Sequence, residues 1–245
     1  ALGRVVPVEE TVMPAVYVNS AAILKAFCGE HGGLTCTSSN ARKVIEWSWA
    51  RREKILFFPD EHLGRNTANK MGIPREQMIV WDPFMPRGGN SVEAIKRAKL
   101  ILWKGHCSVH QMFQPSHVDY FRKQYPDVKV IVHPECHEDV VNKADLVGST
   151  EYIIRTITAA PAGTTWAVGT ELNLVNRLKH EQTDKKVFFL SSTVCQCATM
   201  YRIDAPHLCW ALENLADGHV VNRIVVPDDE KQWAKVALDR MMALS

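Results

Sequence analysis

Cys107 lies in the stretch WKGHCSVHQMF, Trp103 to Phe113, directly after the apolar run Leu100 to Leu102. A strand over Ala98 to Trp103 ends as Lys104-Gly105-His106-Cys107 turns away, so the thiol stands at the carboxyl end of a strand, where α/β folds place their ligands. A lone cysteine beside Trp and Val is by default a small buried hydrophobe. The rest of the chain argues for more. Each apolar run ends in small, hydroxyl-bearing or ionisable residues, and in a parallel sheet such ends gather along one edge. Asn19, Ser38, Ser39, Asp60, His62, Cys107, His110, His133, Glu135, Ser149, Thr150 and Glu171 fall on it. Ser38, Ser39 and Thr150 also suit helix capping, and a helix start that offers N–H groups beside hydroxyls seats a phosphate or carboxylate equally well. His133 and Glu135, an imidazole and a carboxylate two residues apart on one strand end, face the same way and suit proton transfer.

Two further thiols, Cys195 and Cys197, are one residue apart. That is too close for an unstrained disulfide and puts them on opposite sides of an extended backbone. One suits a metal ligand while its neighbour packs or serves as a redox-sensitive spare. The chain has no CxxC pair, so no familiar zinc spacing is present. Widely spaced single cysteines on loop tips suit a cluster in which each thiolate binds one iron. These residues leave iron–sulfur, mononuclear metal and no metal all open.

The elements that position these groups alternate short apolar runs with helical patterns. Strands are expected at Ala15 to Val18, Leu34 to Thr37, Ile55 to Phe58 and Met78 to Trp81, with helices over Ala21 to Phe27 and Ala41 to Arg51. Pro83 to Gly89, with two prolines and two glycines, reads as a boundary. The rhythm then resumes with strands at Ala98 to Trp103, Val128 to Val132, Leu146-Val147, Thr165 to Val168 and Lys186 to Leu190. Strands separated by helix-length segments mean βαβ units and parallel sheets. The expected divisions are 1–11 as a join to something earlier, 12–90 and 91–192 as two α/β domains, and 193–245 as a cysteine-containing loop with C-terminal helices returning to the first domain. In that last part His207 to Leu215 reads as an amphipathic helix, Arg223 to Val226 as a strand, and Asp228 to Leu244 as a helix with an acidic start.

Composition narrows the classes. The 245 residues are 46% hydrophobic and 23% charged, with a formal net charge of +2, which fits a folded chain with a proper core. The basic residues are scattered, so no nucleic-acid footprint is expected. No apolar run approaches the roughly 18–20 residues that span a bilayer. Seven cysteines at irregular spacings do not resemble a disulfide framework. These features favour a cytoplasmic protein with no membrane partner.

Eight ordered motifs together resemble the quinolinate synthase family: Tyr17-Val-Asn-Ser, Cys36-Thr-Ser-Ser-Asn-Ala, Pro59-Asp-Glu-His-Leu-Gly, the WKGHCSVH stretch, His133-Pro-Glu-Cys, Ala144-Asp-Leu-Val-Gly-Ser-Thr, Gly169-Thr-Glu and Cys195-Gln-Cys-Ala-Thr-Met. The resemblance runs from Met13 to the C-terminus. It implies repeated three-layer α/β/α domains in a pseudo-threefold arrangement, with the active site at their junction. It also implies a condensation of iminoaspartate with dihydroxyacetone phosphate to quinolinate, with loss of phosphate and two waters. The implied cofactor is a [4Fe-4S] cluster on three cysteines, its open iron acting as a Lewis acid.

Carried over by motif, Cys107 and Cys197 match two cluster ligands. The third is expected upstream of this chain, since residues 1–16 hold no cysteine; Cys36 is a weaker substitute. Tyr17 and Asn19 match substrate-contacting residues, and Ser38 a hydroxyl near the open iron. His133 and Glu135, with Tyr17, are the catalytic candidates, and Ser149 and Thr150 a phosphate or carboxylate seat. His106 and His110 shape the cluster surroundings, and Cys136 and Cys209 pack. A homodimer and a contact with the aspartate-oxidising enzyme that supplies iminoaspartate are the associations the resemblance admits. Two other readings compete: a non-catalytic iron–sulfur or thiol redox sensor on an α/β ligand-binding body, and a metal-free sugar-phosphate enzyme.

Overall fold

Val12 to Tyr17 is apolar at every position, and a strand with that pattern must be covered on both faces. The computed structural model, which describes residues 2–195 and 197–244, places it inside a parallel sheet. In chain order the first unit runs α1 (Val8–Thr11), β1 (Val12–Tyr17), α2 (Ala22–Glu30), β2 (Leu34–Cys36), α3 (Ala41–Trp49), β3 (Lys54–Phe58), α4 (Glu61–Lys70), β4 (Met78–Trp81), α5 (Val92–Arg97) and β5 (Leu100–Trp103). Its strands are ordered β2-β1-β3-β5-β4, and every pair is parallel. The second unit runs α6 (Ser108–Gln111), α7 (Pro115–Gln124), β6 (Lys129–Val132), α8 (Glu138–Lys143), β7 (Leu146–Val147), α9 (Thr150–Ala159), β8 (Thr165–Gly169), α10 (Leu172–Glu181) and β9 (Lys186–Phe189). Its parallel order is β7-β6-β8-β9. Two helices follow, α11 (Ala205–Ala216) and α12 (Asp228–Met242).

Alternation along the strands builds the three layers. Ala15, Tyr17, Ile55 and Phe57 point to one face, where Val44 and Ile45 of α3 and Leu63 of α4 cover them. Val16 and Phe58 point to the other, against Cys28 of α2 and Ala237 of α12. The second sheet is covered likewise, by Val118, Phe121 and Val140 on one face and by Ile153, Ile157, Val175 and Leu178 on the other.

Three sequence expectations change. β1 begins at Val12, earlier than Ala15, because β1 pairs with β3 from Val12 while β2 joins only at Ala15, and Pro14 is accommodated between. The strand Leu100–Trp103 adds to the first sheet, beside β3 and β4. Residue 90 is therefore no boundary between sheets: Pro83 to Gly89 is a turn folded onto β4, with Gly88 at φ +66° against the Trp81 ring, where a Cβ would clash. Arg223 to Val226 is not a strand. Ile224 and Val225 are 88% and 73% exposed, and no strand of either sheet pairs with them among the described residues; an apolar run needs a sheet edge to become a strand.

The last helix closes on the first unit. Arg240 Nη1 donates to the carbonyls of Gly29 (3.0 Å) and Gly33 (2.7 Å), and Thr35 Oγ1 donates to the Ala237 carbonyl at 3.3 Å. Gly29 makes this approach feasible, since a Cβ there would overlap the Trp233 carbonyl. Gly29→Ala should therefore lower the melting midpoint although alanine is the better helix former. Overpacking of about 1–3 kcal/mol corresponds to about 2–4 °C per kcal/mol in a chain of this size. Gly3→Ala, where the nearest atom lies 3.8 Å away, should leave the midpoint unchanged. Equal midpoints for both variants would contradict this seat for α12.

Candidate functional site

Asp60 follows β3 and joins the first sheet's loops. Its Oδ1 accepts from Leu63 N at 2.8 Å, capping α4, and its Oδ2 accepts from Cys107 N at 3.1 Å. The approach is tight because Glu61 N donates to Gly105 O at 2.9 Å, and a Cβ on Gly105 would overlap the Pro59 carbonyl. One buried carboxyl thus fixes where the Cys107 loop leaves β5.

The second sheet meets this edge through α4. Asn66 Nδ2 donates to the carbonyls of Pro134 and Cys136, both at 2.8 Å, bracketing Glu135 after β6. His133 N donates to Gly169 O at 3.0 Å. His110 of α6 stacks on His133, centroids 4.5 Å apart and rings 17° from parallel, and its Nε2 lies 3.3 Å from Thr170 Oγ1. Glu135 Oε2 lies 3.2 Å from His133 Nδ1 and 3.3 Å from His110 Nδ1. His133 Nδ1 is also 3.3 Å from the Glu135 amide. Protonated, it donates to the carboxylate; bare, it accepts from the amide.

These side chains line a cavity of about 940 Å³ together with Tyr17, Asn19, Cys107, Thr150 and Cys197. Of the nine residues expected to bind substrate, move protons or hold the cluster, seven therefore share one space. Ser38 and Ser149 line a neighbouring cavity of about 800 Å³ instead, with Arg42, Lys43, Lys70 and Arg155 around it. The two are adjacent, because Ser38 lies close enough to the Tyr17 hydroxyl to act on its proton affinity. Ser149 caps α9, its Oγ accepting from Tyr152 N at 3.3 Å. Glu171 lines the larger cavity and caps α10 through Asn173 N and Leu174 N. Cys36 is fully buried beneath the strand ends and lines neither cavity. Cys136 packs, its Sγ donating to Gly169 O at 3.6 Å. Cys209 does not pack: it is exposed on α11, 3.4 Å from Glu213 Oε1.

Burial sets the protonation states. Asp60 is pushed up to about 7 by burial and by the Glu135 charge, against the opposing hydrogen bonds from the amides of Leu63, Cys107 and His62. Burial also works to raise Glu135, but the hydrogen bond with His133 opposes it, and the carboxyl lies below its ordinary value. His110 is lowered to about 3 by burial and by His133, with Glu135 opposing, so its imidazole is neutral. Burial raises Cys107 to about 11 despite the amides of His110 and Val109, and raises the Tyr17 hydroxyl well above its usual range.

Asp60 and His110 hold more of the site together than their sequence context suggests. Both stand on the expected edge, but Asp60 carried no role there and His110 only a supporting one. The signals were Pro-Asp-Glu-His directly after β3 and the His106-x-x-x-His110 spacing.

Fold and site together define an α/β protein of parallel sheets whose carboxyl ends enclose one acid–base and thiol-bearing ligand cavity. The chain belongs to the quinolinate synthase family: the family model NadA, described as quinolinate synthetase A protein, matches residues 6–243. The quinolinate synthase of Rhodopirellula baltica is 59% identical over 236 residues, 96% of this chain and 60% of that protein. Those of Acidobacterium capsulatum and a Nocardioides species are 58% and 55% identical over 237 and 244 residues, 64% and 62% of their lengths. The chain thus spans less than two thirds of these relatives.

A carboxyl whose folded-state value is raised favours the fold while protonated. The Asp60 contribution is full below about pH 4 and is lost as pH rises through about 7. Asp60→Asn keeps the cap on α4 and carries no charge. The variant's melting midpoint relative to the parent chain should therefore be higher at pH 8 than at pH 5, as followed by circular dichroism. A pH-independent difference would contradict a buried, titrating Asp60.

Proposed function

We propose that this chain forms the two-sheet body of a quinolinate synthase that condenses iminoaspartate with dihydroxyacetone phosphate, releasing phosphate and two waters. The observation that carries the reading is that Cys107 and Cys197 line the same cavity as His133, Glu135 and Tyr17. Two thiols opening on one polar cavity fit two ligands of a [4Fe-4S] cluster. Among the described residues no third thiol lines it: Cys28, Cys36 and Cys136 are buried in the cores, Cys195 is half-buried outside the lining, and Cys209 is exposed on α11. We place the third ligand in the length of the relatives that this chain does not span. That remainder also accounts for the apolar face of α11, where Leu208, Leu212 and Leu215 are exposed, and for a third unit completing a pseudo-threefold arrangement. When bound, the cluster supplies an open iron as Lewis acid.

The chain's own residues supply binding and proton transfer. Tyr17 keeps its proton and donates to substrate oxygen, with Asn19 and Thr150 beside it on the cavity wall. Glu135, held as a carboxylate, takes a proton during enolisation or dehydration, and His133 relays it through the contact at 3.2 Å. Ser38 and Ser149, near the starts of α3 and α9 and ringed by Arg42, Lys43, Lys70 and Arg155, attract the phosphate or carboxylate ends of the substrates. The partners are small molecules. We place the protein in the cytoplasm, consistent with no described helix being long and apolar enough to cross a membrane. A homodimer and the aspartate-oxidising enzyme are its proposed associates.

The test uses the chain extended to the length of its relatives and purified without oxygen. About four irons per chain and quinolinate formation are expected. Cys107→Ala and Cys197→Ala should each lose the iron, and Glu135→Gln should keep it while turnover falls about 10²–10⁴-fold. Full iron in either cysteine variant, or parental turnover in Glu135→Gln, would overturn the assignment.

A further inference from the structure

We infer that Cys107, His110 and Glu135 form a site for one divalent cation of the zinc class, using a single thiolate and not Cys197. One sulfur, one nitrogen and one oxygen from these side chains lie within 4.8 Å of one another. A tetrahedral zinc ion, with about 2.0–2.2 Å to nitrogen and oxygen and about 2.3 Å to sulfur, sets its ligand atoms about 3.3–3.8 Å apart. His110 Nδ1 and Glu135 Oε2 are already at 3.3 Å. A modest inward movement of the thiol completes a three-ligand face, and its fourth position opens on the cavity that Cys107 lines.

The second observation is the state of His110. The residue is 7% exposed, and its Nδ1 is buried with no hydrogen-bond partner, whereas Nε2 lies beside Thr170 Oγ1 at 3.3 Å. With Nε2–H donating to Thr170, the bare Nδ1 lone pair faces a carboxylate oxygen without the alignment for a hydrogen bond. Two electron pairs held together in a dry corner repel unless a positive charge stands between them, and a buried polar atom without a partner destabilises the site further. A cation relieves both. Thr170 then acts as the outer partner that fixes the tautomer and ring orientation of a metal-bound histidine. On binding, Cys107 releases its thiol proton to solvent and no electron is transferred. The site stands apart from the cluster reading. Where both hold, cluster and cation exclude each other at Cys107, so zinc blocks cluster assembly.

The experiment titrates the 245-residue chain, freed of metal by chelation under anaerobic conditions, with Co²⁺ as a spectroscopic substitute for zinc. One Co²⁺ per chain is expected, with a thiolate-to-cobalt charge-transfer band and the intense visible absorption of four-coordinate cobalt, both abolished by added Zn²⁺. Cys107→Ser should remove the charge-transfer band. His110→Ala and Glu135→Gln should each weaken binding by tenfold or more. Thr170→Val, which leaves all three ligands in place, should weaken it about 10–100-fold while circular dichroism shows the parental fold. Cys197→Ala should bind Co²⁺ as the parent chain does. No thiolate band in the parent chain, unchanged affinity in His110→Ala and Glu135→Gln, or loss of the band in Cys197→Ala would each overturn the site; the last would show that the cation uses the proposed cluster thiols instead.

Discussion

The amide of Asn66 is the constraint on which the site depends. It stands on α4, a helix whose start is fixed by the Asp60 cap, and it spends both of its hydrogens on carbonyls of the other sheet's loop, at Pro134 and Cys136. Each bond contributes about 0.5–1.5 kcal/mol, and leaving either carbonyl buried without a donor costs about 1–3 kcal/mol. The energetic preference is therefore for one placement of Glu135 relative to the Cys107 loop. Two parallel sheets alone would bring their carboxyl edges together only loosely. The Asn66 bridge converts that neighbourhood into a cavity with fixed distances.

Inside the cavity the same low polarity acts on two carboxyls with opposite outcomes. Asp60 meets burial and the Glu135 charge with only backbone donors to oppose them, so it sits near neutrality. Glu135 meets the same burial but has the His133 hydrogen bond, and it remains a carboxylate. Neighbouring acids with separated proton affinities divide the work of holding and accepting protons. Tyr17, kept protonated by its burial, adds a donor on the same wall. Cys107 is hooked into this network through its own amide, which donates to Asp60 Oδ2.

What was legible in the sequence was whatever one strand end carries by itself. Apolar runs gave the strands, helix-length gaps gave the parallel sheets, and the residues after each run gave the edge on which Cys107, His133 and Glu135 meet. Relations across the chain were not legible. Nothing local shows that Asp60 Oδ2 reaches an amide 47 residues on, or that His110 stacks on His133. Nor does spacing show that Ser38 and Ser149 face a second cavity beside the first. Ile224 and Val225 have a strand's composition but no edge to join. Pro83 to Gly89 has a linker's composition, yet its glycines serve a turn against Trp81.

The measurement that bears most directly on a single shared site is the anomalous scattering of iron in crystals of the relative-length chain grown without oxygen. Iron peaks bonded to the sulfurs of both Cys107 and Cys197, inside the cavity walled by His133 and Glu135, are the predicted result. Iron bound away from that cavity, or on only one of the two sulfurs, would contradict it.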